Sequence, residues 1–341
     1  MAESTTPEPV RDPQAPATSS PVQVPEDPLQ VDDELDDDDS AFDGSKQPFV
    51  LIEIEHTELS NGRRYHAFRQ GAYLVPNDEE EQERMDLVHH IYTLVLDGQL
   101  HLAPISENPQ RVLDIGTGTG IWATTFADDH PSAEVLGTDL SPIQPTWTPP
   151  NCSFEVDDYE ETWLYRRPFE YIHARELEGC VGDEPKLFQQ AFQHLAPGGY
   201  IELQGVNAEF MCDDGTITKA KDALLWMDYL RKSAKKFGKP VDCAPQWAEK
   251  LREAGFEDVK EEVRKLPIGA WPKNPKLKEI GRYQSVQELQ VVDSYTPALF
   301  AHTLGWSMDE VQVLMAKVKR DLRDPSIHLY LSIYFVWGRK P

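Results

Sequence analysis

Cysteine is scarce: four in 341 residues, at Cys152, Cys180, Cys212 and Cys243, with no Cys-x-x-Cys pair. That argues against a disulfide framework and a zinc knuckle, and predicts free thiols in a reducing compartment with no metal site. Base is scarce as well. Thirty-three Lys and Arg face 59 Asp and Glu, a formal charge of −26, which argues against direct nucleic-acid binding through phosphates. No apolar run approaches bilayer length, so no membrane span is expected. The start of the chain has neither the basic head nor the apolar stretch of a secretory signal, and no internal repeat is visible. What is present is 40% hydrophobic residues, enough for a sizeable core in one large domain with additions or two small ones.

Residues 1–46 hold thirteen Asp/Glu and two Lys/Arg. The run Asp36 to Asp39 repels itself in any compact state, and the segment reads as a disordered acidic leader. Residues 47–104 read as an N-terminal lid and helical extension. Within them FVLIEIE (49–55) has strand composition and Ser60–Gly62 a turn. RYHAFRQGAYLVP (64–76) is aromatic and basic, and could fold over a ligand with Tyr65 and Tyr73 stacking. Asn77, with Glu80 three residues later, suggests a capping box. Met85, Val88, Tyr92 and Val95 then recur at helical spacing as far as Gly98, placing His89 or His90 beside the apolar face.

Residues 105–341 alternate strand and helix. Strands are expected at 111–115, 133–141, 152–160, 169–176 and 200–206, with helices following the first and fourth. That alternation predicts an α/β fold, doubly wound on a mostly parallel sheet. The last third is less regular: helices near 216–237, 244–255 and from a Ser307 cap, strands near 257–268 and 328–340. Insertions near 210–240 and 268–310 read as a cap.

The first strand, RVLDIGTGTG (111–120), empties through Gly116, Gly118 and Gly120 into a helix. Glycines let backbone approach a ligand closely, and a helix start offers unpaired N–H groups. The spacing is not the Gly-x-Gly-x-x-Gly of dinucleotide binders, and no lysine follows to make a phosphate loop. Asp-x-Gly-x-Gly-x-Gly resembles motif I of the class I S-adenosylmethionine-dependent methyltransferases.

In an open parallel sheet, ligands sit at the carboxyl ends of the strands. Asp139 closes the second strand, where a carboxylate can accept ribose hydroxyl protons. Asp158 closes the third, preferred over Asp157, where it can read an adenine amine with Tyr159 beside the ring. His173 and Arg175 close the fourth, facing the reaction zone.

RMDLVHHIYTLVLDGQLHLAPI, RVLDIGTGTGIWA, EVLGTDLSPIQP, IHARE, LAPGGYIELQ and the terminal FVWGRKP together resemble the fungal LaeA-like methyltransferases, over roughly residues 60–341. The resemblance implies a seven-stranded Rossmann-like sheet with the last strand antiparallel. It also implies S-adenosylmethionine as cofactor, with contacts on Asp114, Gly116, Gly118, Gly120, Asp139 and Asp158. It supplies no catalytic base. A base is needed only when the acceptor holds a proton of high pKa, and His173, with His89 and His90 behind it, is the candidate. Arg175 and Tyr73 are the candidate substrate contacts.

The leading expectation is methyl transfer to a small molecule of fungal secondary metabolism, with Trp226, Trp247, Trp271 and Trp306 available to line an apolar pocket. The alternative is a LaeA-like regulator of secondary-metabolite genes acting through protein partners. For that reading the acidic leader could serve the contacts, and Arg231, Lys232, Lys235, Lys236 and Lys239 a nuclear signal. The cytoplasm is the expected compartment, with the nucleus open to the regulator.

Overall fold

A computed structural model describes Leu29 and residues 57–58, 62–66, 68–69, 71 and 74–341. The readings on the acidic leader, the strand at 49–55 and Tyr73 lie outside the described residues. Two short strands, β1 (Thr57–Glu58) and β2 (Arg64–Tyr65), pair antiparallel ahead of helix α1 (Glu79–Val95). The cap of α1 is Asp78, not Asn77: its side chain accepts the Glu81 N–H at 3.1 Å. Both residues are good caps with an acid three positions on. Arg63, forked onto the Asp78 carboxylate, decides between them.

Strand and helix then alternate through β3 (Arg111–Ile115), α2 (Ile121–Asp129), β4 (Glu134–Asp139), β5 (Cys152–Val156), β6 (Phe169–Arg175), α3 (Glu184–His194) and β7 (Leu195–Met211). The remainder is α4 (Lys221–Phe237), α5 (Trp247–Glu253), β8 (Glu257–Pro267), α6 (Pro275–Leu304), α7 (Met308–Leu322) and β9 (Tyr330–Arg339). The seven-stranded sheet has the order β5-β4-β3-β6-β7-β9-β8, and β9 alone runs antiparallel to its neighbours. Strand β7 outruns the 200–206 expected for it because β9 pairs along it as far as Met211↔Tyr330.

The sheet is buried on both faces, as parallel sheets are. Alternation along β3 sends Val112 toward α2, where Trp122 and Phe126 pack, and Leu113 and Ile115 toward the side of α3 and α5. A third apolar cluster joins α1, α4, α6 and α7 to β8 and β9 around Trp226, Phe300, Ile333 and Phe335.

The stretch expected to be an irregular cap, 268–310, is dominated by α6, thirty residues long. Its Asn274 cap accepts the N–H groups of Lys276 and Leu277. Two features hide it in the sequence. Pro297 lies inside it, normally a helix breaker. Its buried residues include Gln284, Gln287, Glu288, Ser294 and Thr296, so no apolar stripe marks the buried side. Among the described residues no helix is long and apolar enough to cross a membrane.

Candidate functional site

Two cavities meet against α1. The outer one, about 1060 Å³ with its open mouth, is walled by the carboxyl ends of β3, β4 and β6, the glycine loop and the first half of α1. The inner one, about 700 Å³ with its open mouth, lies between α1, α4, α6 and the far part of β7. Arg84, Val88, Glu176 and Tyr295 line both.

The glycine loop carries the outer cavity's floor. Gly116 and Gly118 line it. Gly118 has φ 56°, and a Cβ there would come within 3.1 Å of the Met85 sulfur on α1, so glycine is what lets α1 close over the loop. Gly120 is not part of the lining. It caps α2 at φ 79°, and its absent Cβ is the space that the Phe154 ring fills, 2.4 Å from where the Cβ would be.

Asp139 ends β4 facing the cavity. Its Oδ2 accepts the Gly118 N–H at 2.9 Å and its Oδ1 the Ser141 N–H at 2.8 Å. The carboxylate thus holds both flanking loops while each oxygen keeps acceptor capacity. Burial pushes its pKa up to about 6 against the pull of these N–H groups. Leu140, Ser141 and Ile143 extend the same wall.

Asp114 and His173 are register partners on β3 and β6. His173 Nδ1 lies 2.7 Å from Asp114 Oδ1, and the Thr117 hydroxyl donates to Asp114 Oδ2 at 2.6 Å. The imidazole stacks on Trp122, centroids 3.7 Å apart and 6° from parallel. Burial lowers the His173 pKa although Asp114 opposes it, so the ring is neutral near pH 7. The tautomer that donates from Nδ1 to the Asp114 carboxylate is the one that leaves a lone pair on Nε2. That atom is buried with no hydrogen-bond partner.

Arg175 donates from Nε and Nη2 to Gln204 Oε1, at 2.9 and 2.7 Å, and lies over the Tyr92 ring at 4.4 Å. Its Nη1 is 3.2 Å from His89 Nδ1. Its hydrogen-bond partners are therefore neutral. Burial, with Arg175 beside it, drops the His89 pKa to about 3, so this imidazole is committed to accepting from Arg175. His90 is exposed and packs edge-on against Tyr283, away from both cavities. Of the two histidines that line the cavity, the acceptor nitrogen of His89 is taken by Arg175 and that of His173 is left free.

Tyr159 lines the outer cavity and donates its hydroxyl to Cys180 O at 3.3 Å. Asp158 does not line it. Its Oδ1 accepts the Glu160 N–H at 3.0 Å, and Arg69 Nε lies 3.6 Å from Oδ2. Tyr65 is buried in β2 and lines neither cavity. Of the four tryptophans, only Trp226 lines the inner chamber. Trp247 donates to Glu184, Trp271 to the Ile268 carbonyl, and Trp306 packs on Tyr229 and Phe300. In the basic cluster Lys239 turns inward, onto Glu160 and the Cys180 carbonyl.

Sequence reasoning passed over two wall residues. Asn77 donates to Ser141 Oγ at 3.1 Å and leaves its buried Oδ1 without a partner. Glu176 stands where the cavities join, at φ 56°, a left-handed conformation costing a non-glycine residue about 1–2 kcal/mol. Such strain gathers at ligand sites. The Tyr92 hydroxyl donates to Glu176 Oε1, and burial raises the Glu176 pKa. The sequence signal was its place just beyond a strand end in the reaction zone.

A profile of the family described as "Methyltransferase domain" matches residues 61–261. The methyltransferase pytC of Aspergillus terreus is 40% identical over 289 residues, 84% of this chain and 89% of that one. The secondary metabolism regulator LAE1 of Cochliobolus heterostrophus is 37% identical, covering 83% and 94%. The probable methyltransferase tdiE of Emericella nidulans is 34% identical, covering 80% and 87%.

Proposed function

We propose that this chain, which belongs to the fungal LaeA-like class I methyltransferases and uses S-adenosylmethionine, methylates a small, largely apolar metabolite held in the inner chamber. The observation carrying this is the junction. A chamber lined by Val88, Ile91, Trp226, Met227, Leu230 and Leu266 adjoins the outer cavity, with Arg84, Val88, Glu176 and Tyr295 lining both. A mostly apolar cleft with a few polar groups is what a small ligand needs.

The outer cavity's own atoms fit the cofactor. Asn77 Oδ1 and His173 Nε2 are buried acceptors lacking donors, and the cofactor carries hydroxyl and amine donors. In this reading Asp139 accepts ribose hydroxyl protons on its remaining lone pairs, and Gly116 and Gly118 let the ligand approach the main chain. Tyr159 and Ile143 supply faces for the adenine. Asp158 has to release Arg69 before it can accept an adenine amine. Arg175, whose partners are neutral, can pair a ligand carboxylate. When bound, S-adenosylmethionine supplies a methyl group on a sulfonium, which departs as a neutral thioether. The chain's remaining tasks are to align the acceptor and exclude water, which α1 and Tyr295 do by roofing the junction. His173 Nε2 serves as base if the acceptor is a hydroxyl.

The test supplies purified protein with methyl-labelled S-adenosylmethionine and fungal extract, then separates products by size. Label in metabolites is expected. Label confined to protein, or no transfer despite cofactor binding, contradicts the proposal. The regulator reading draws on the similarity to the secondary metabolism regulators LAE1 and laeA, and that outcome would turn toward it.

A further inference from the structure

We propose that the inner chamber selects an acceptor carrying a basic nitrogen on an apolar ring framework, bound as its cation by the carboxylates of Glu178 and Glu288 beside Glu176. This rests on the small-molecule methyltransferase reading above and names its substrate class.

Three buried acids that brace the fold are partnered on both carboxylate oxygens, although among the described residues Glu261 in β8 also keeps one buried oxygen without a partner. Glu202, fully buried, accepts the N–H groups of Leu102 and Ala103, the Tyr171 hydroxyl and the Gln204 amide. Glu184 accepts from Trp247 and Lys250. Glu81 is forked by Arg84 and takes the Ser294 hydroxyl. The chamber acids differ. Glu178 is 6% exposed, and its Oε1 has no partner. Glu288 is 3% exposed and takes one hydrogen bond, from Gln284 Nε2 at 3.1 Å.

The chamber supplies no hydrogen-bonded counter-charge to Glu178 or Glu288, on which Arg84 acts at most through space. Its cation is Arg84, which is already committed to Glu81. Its other titratable groups besides the three glutamates are the phenols Tyr92 and Tyr295, both held neutral by burial. The fold nevertheless makes room for Glu178. A Cβ on Gly205 would lie 1.7 Å from Glu178 Oε1, so a glycine in the middle of β7 is what admits the carboxylate. Without a ligand, burial raises the pKa of Glu178, and that of Glu288 to about 7. A buried charge is costly unless paired, and a bound ammonium provides the pair through charge-assisted hydrogen bonds. The apolar walls take the ring framework.

The experiment is calorimetry on the full chain saturated with S-adenosylhomocysteine, using three probes on one ring system. These are 2-(2-naphthyl)ethylamine, the matching alcohol and the matching carboxylate. The amine is expected to bind at least about 10-fold tighter than the alcohol, with the carboxylate weakest. Glu178→Gln with Glu288→Gln should weaken the amine by about 10-fold or more and the alcohol by under about 3-fold. S-adenosylhomocysteine affinity should not change. Equal binding of amine and alcohol, or no probe binding while S-adenosylhomocysteine binds, overturns the inference and leaves the methyltransferase standing. Failure to bind S-adenosylhomocysteine overturns the functional reading itself. If the double variant does not fold, the order of the three probes on the parent protein decides.

Discussion

In the outer cavity the carboxylates are held by main chain and by neighbouring side chains, while two uncharged acceptors, Asn77 Oδ1 and His173 Nε2, stay free. Asp139 grips two backbone N–H groups, and Asp114 is bound by Thr117 and His173. In the inner chamber the carboxylates of Glu178 and Glu288 have little to hold them, and the walls come from helices rather than strand ends. The first arrangement is preorganised, as suits a ligand that never varies. The second leaves carboxyls that burial drives toward their protonated form for want of a cation, as suits a ligand that brings its own charge. The two cavities therefore divide the work, and substitutions should separate them.

The largest effect is expected from Gly118→Val. The left-handed backbone and the Met85 sulfur 3.1 Å from the new Cβ should cost S-adenosylhomocysteine about 100-fold or more in affinity by calorimetry. Amine-probe binding in the chamber should stay within about 3-fold of the parent. Loss of both together would mean that the cavities are not separable.

Next is Asp139→Ala. It strands the N–H groups of Gly118 and Ser141, at about 1–3 kcal/mol of stability, and should weaken the cofactor roughly 10- to 100-fold. A thermal melt and a titration together check it. Lost stability with unchanged affinity would make Asp139 a loop anchor only.

Glu288→Gln sharpens the contrast from the other side. The Glu288 pKa rises from 4.5 to about 7 through burial, so the folded state binds the extra proton between those values. Its contribution is fully present at low pH and lost as pH rises through about 7, so stability falls across that window. His89, with its pKa dropped to about 3, slopes the opposite way up to its unfolded value. The comparison is therefore parent minus variant in denaturant melts from pH 4.5 to 8. The variant should lose a slope worth at most roughly 3 kcal/mol, with cofactor affinity unchanged. Identical slopes would show that Glu288 does not carry the proton. The smallest effect is expected from Lys232→Ala, which breaks an exposed pair with Asp228. It should shift stability by under about 1 kcal/mol and leave both ligands alone. A larger shift in the melt would give that helix face a role.

The division between cavities is also a division in legibility. Strand composition and strand-end position place Asp114, Asp139, His173 and Arg175 around one crevice, because a parallel sheet fixes where its ends go. Asp158 follows the same rule and still falls outside the lining, because Arg69, more than eighty residues earlier, draws on its carboxylate. The chamber's far wall is α6, which has a proline within it and polar residues on its buried side. Its Gln284, Gln287, Glu288 and Tyr295 acquire meaning only when α1 and α4 pack against them. The unpartnered Oε1 of Glu178 and the room made by Gly205 belong to packing, and no spacing in the chain announces them.

The most direct measurement is a crystal structure of the full chain with S-adenosylhomocysteine. The division of work predicts ligand density in the outer cavity, reaching from Asp139 to His173 and Arg175, with the inner chamber left open beyond Glu176. Density in the inner chamber, or an outer cavity closed to the ligand, would contradict it.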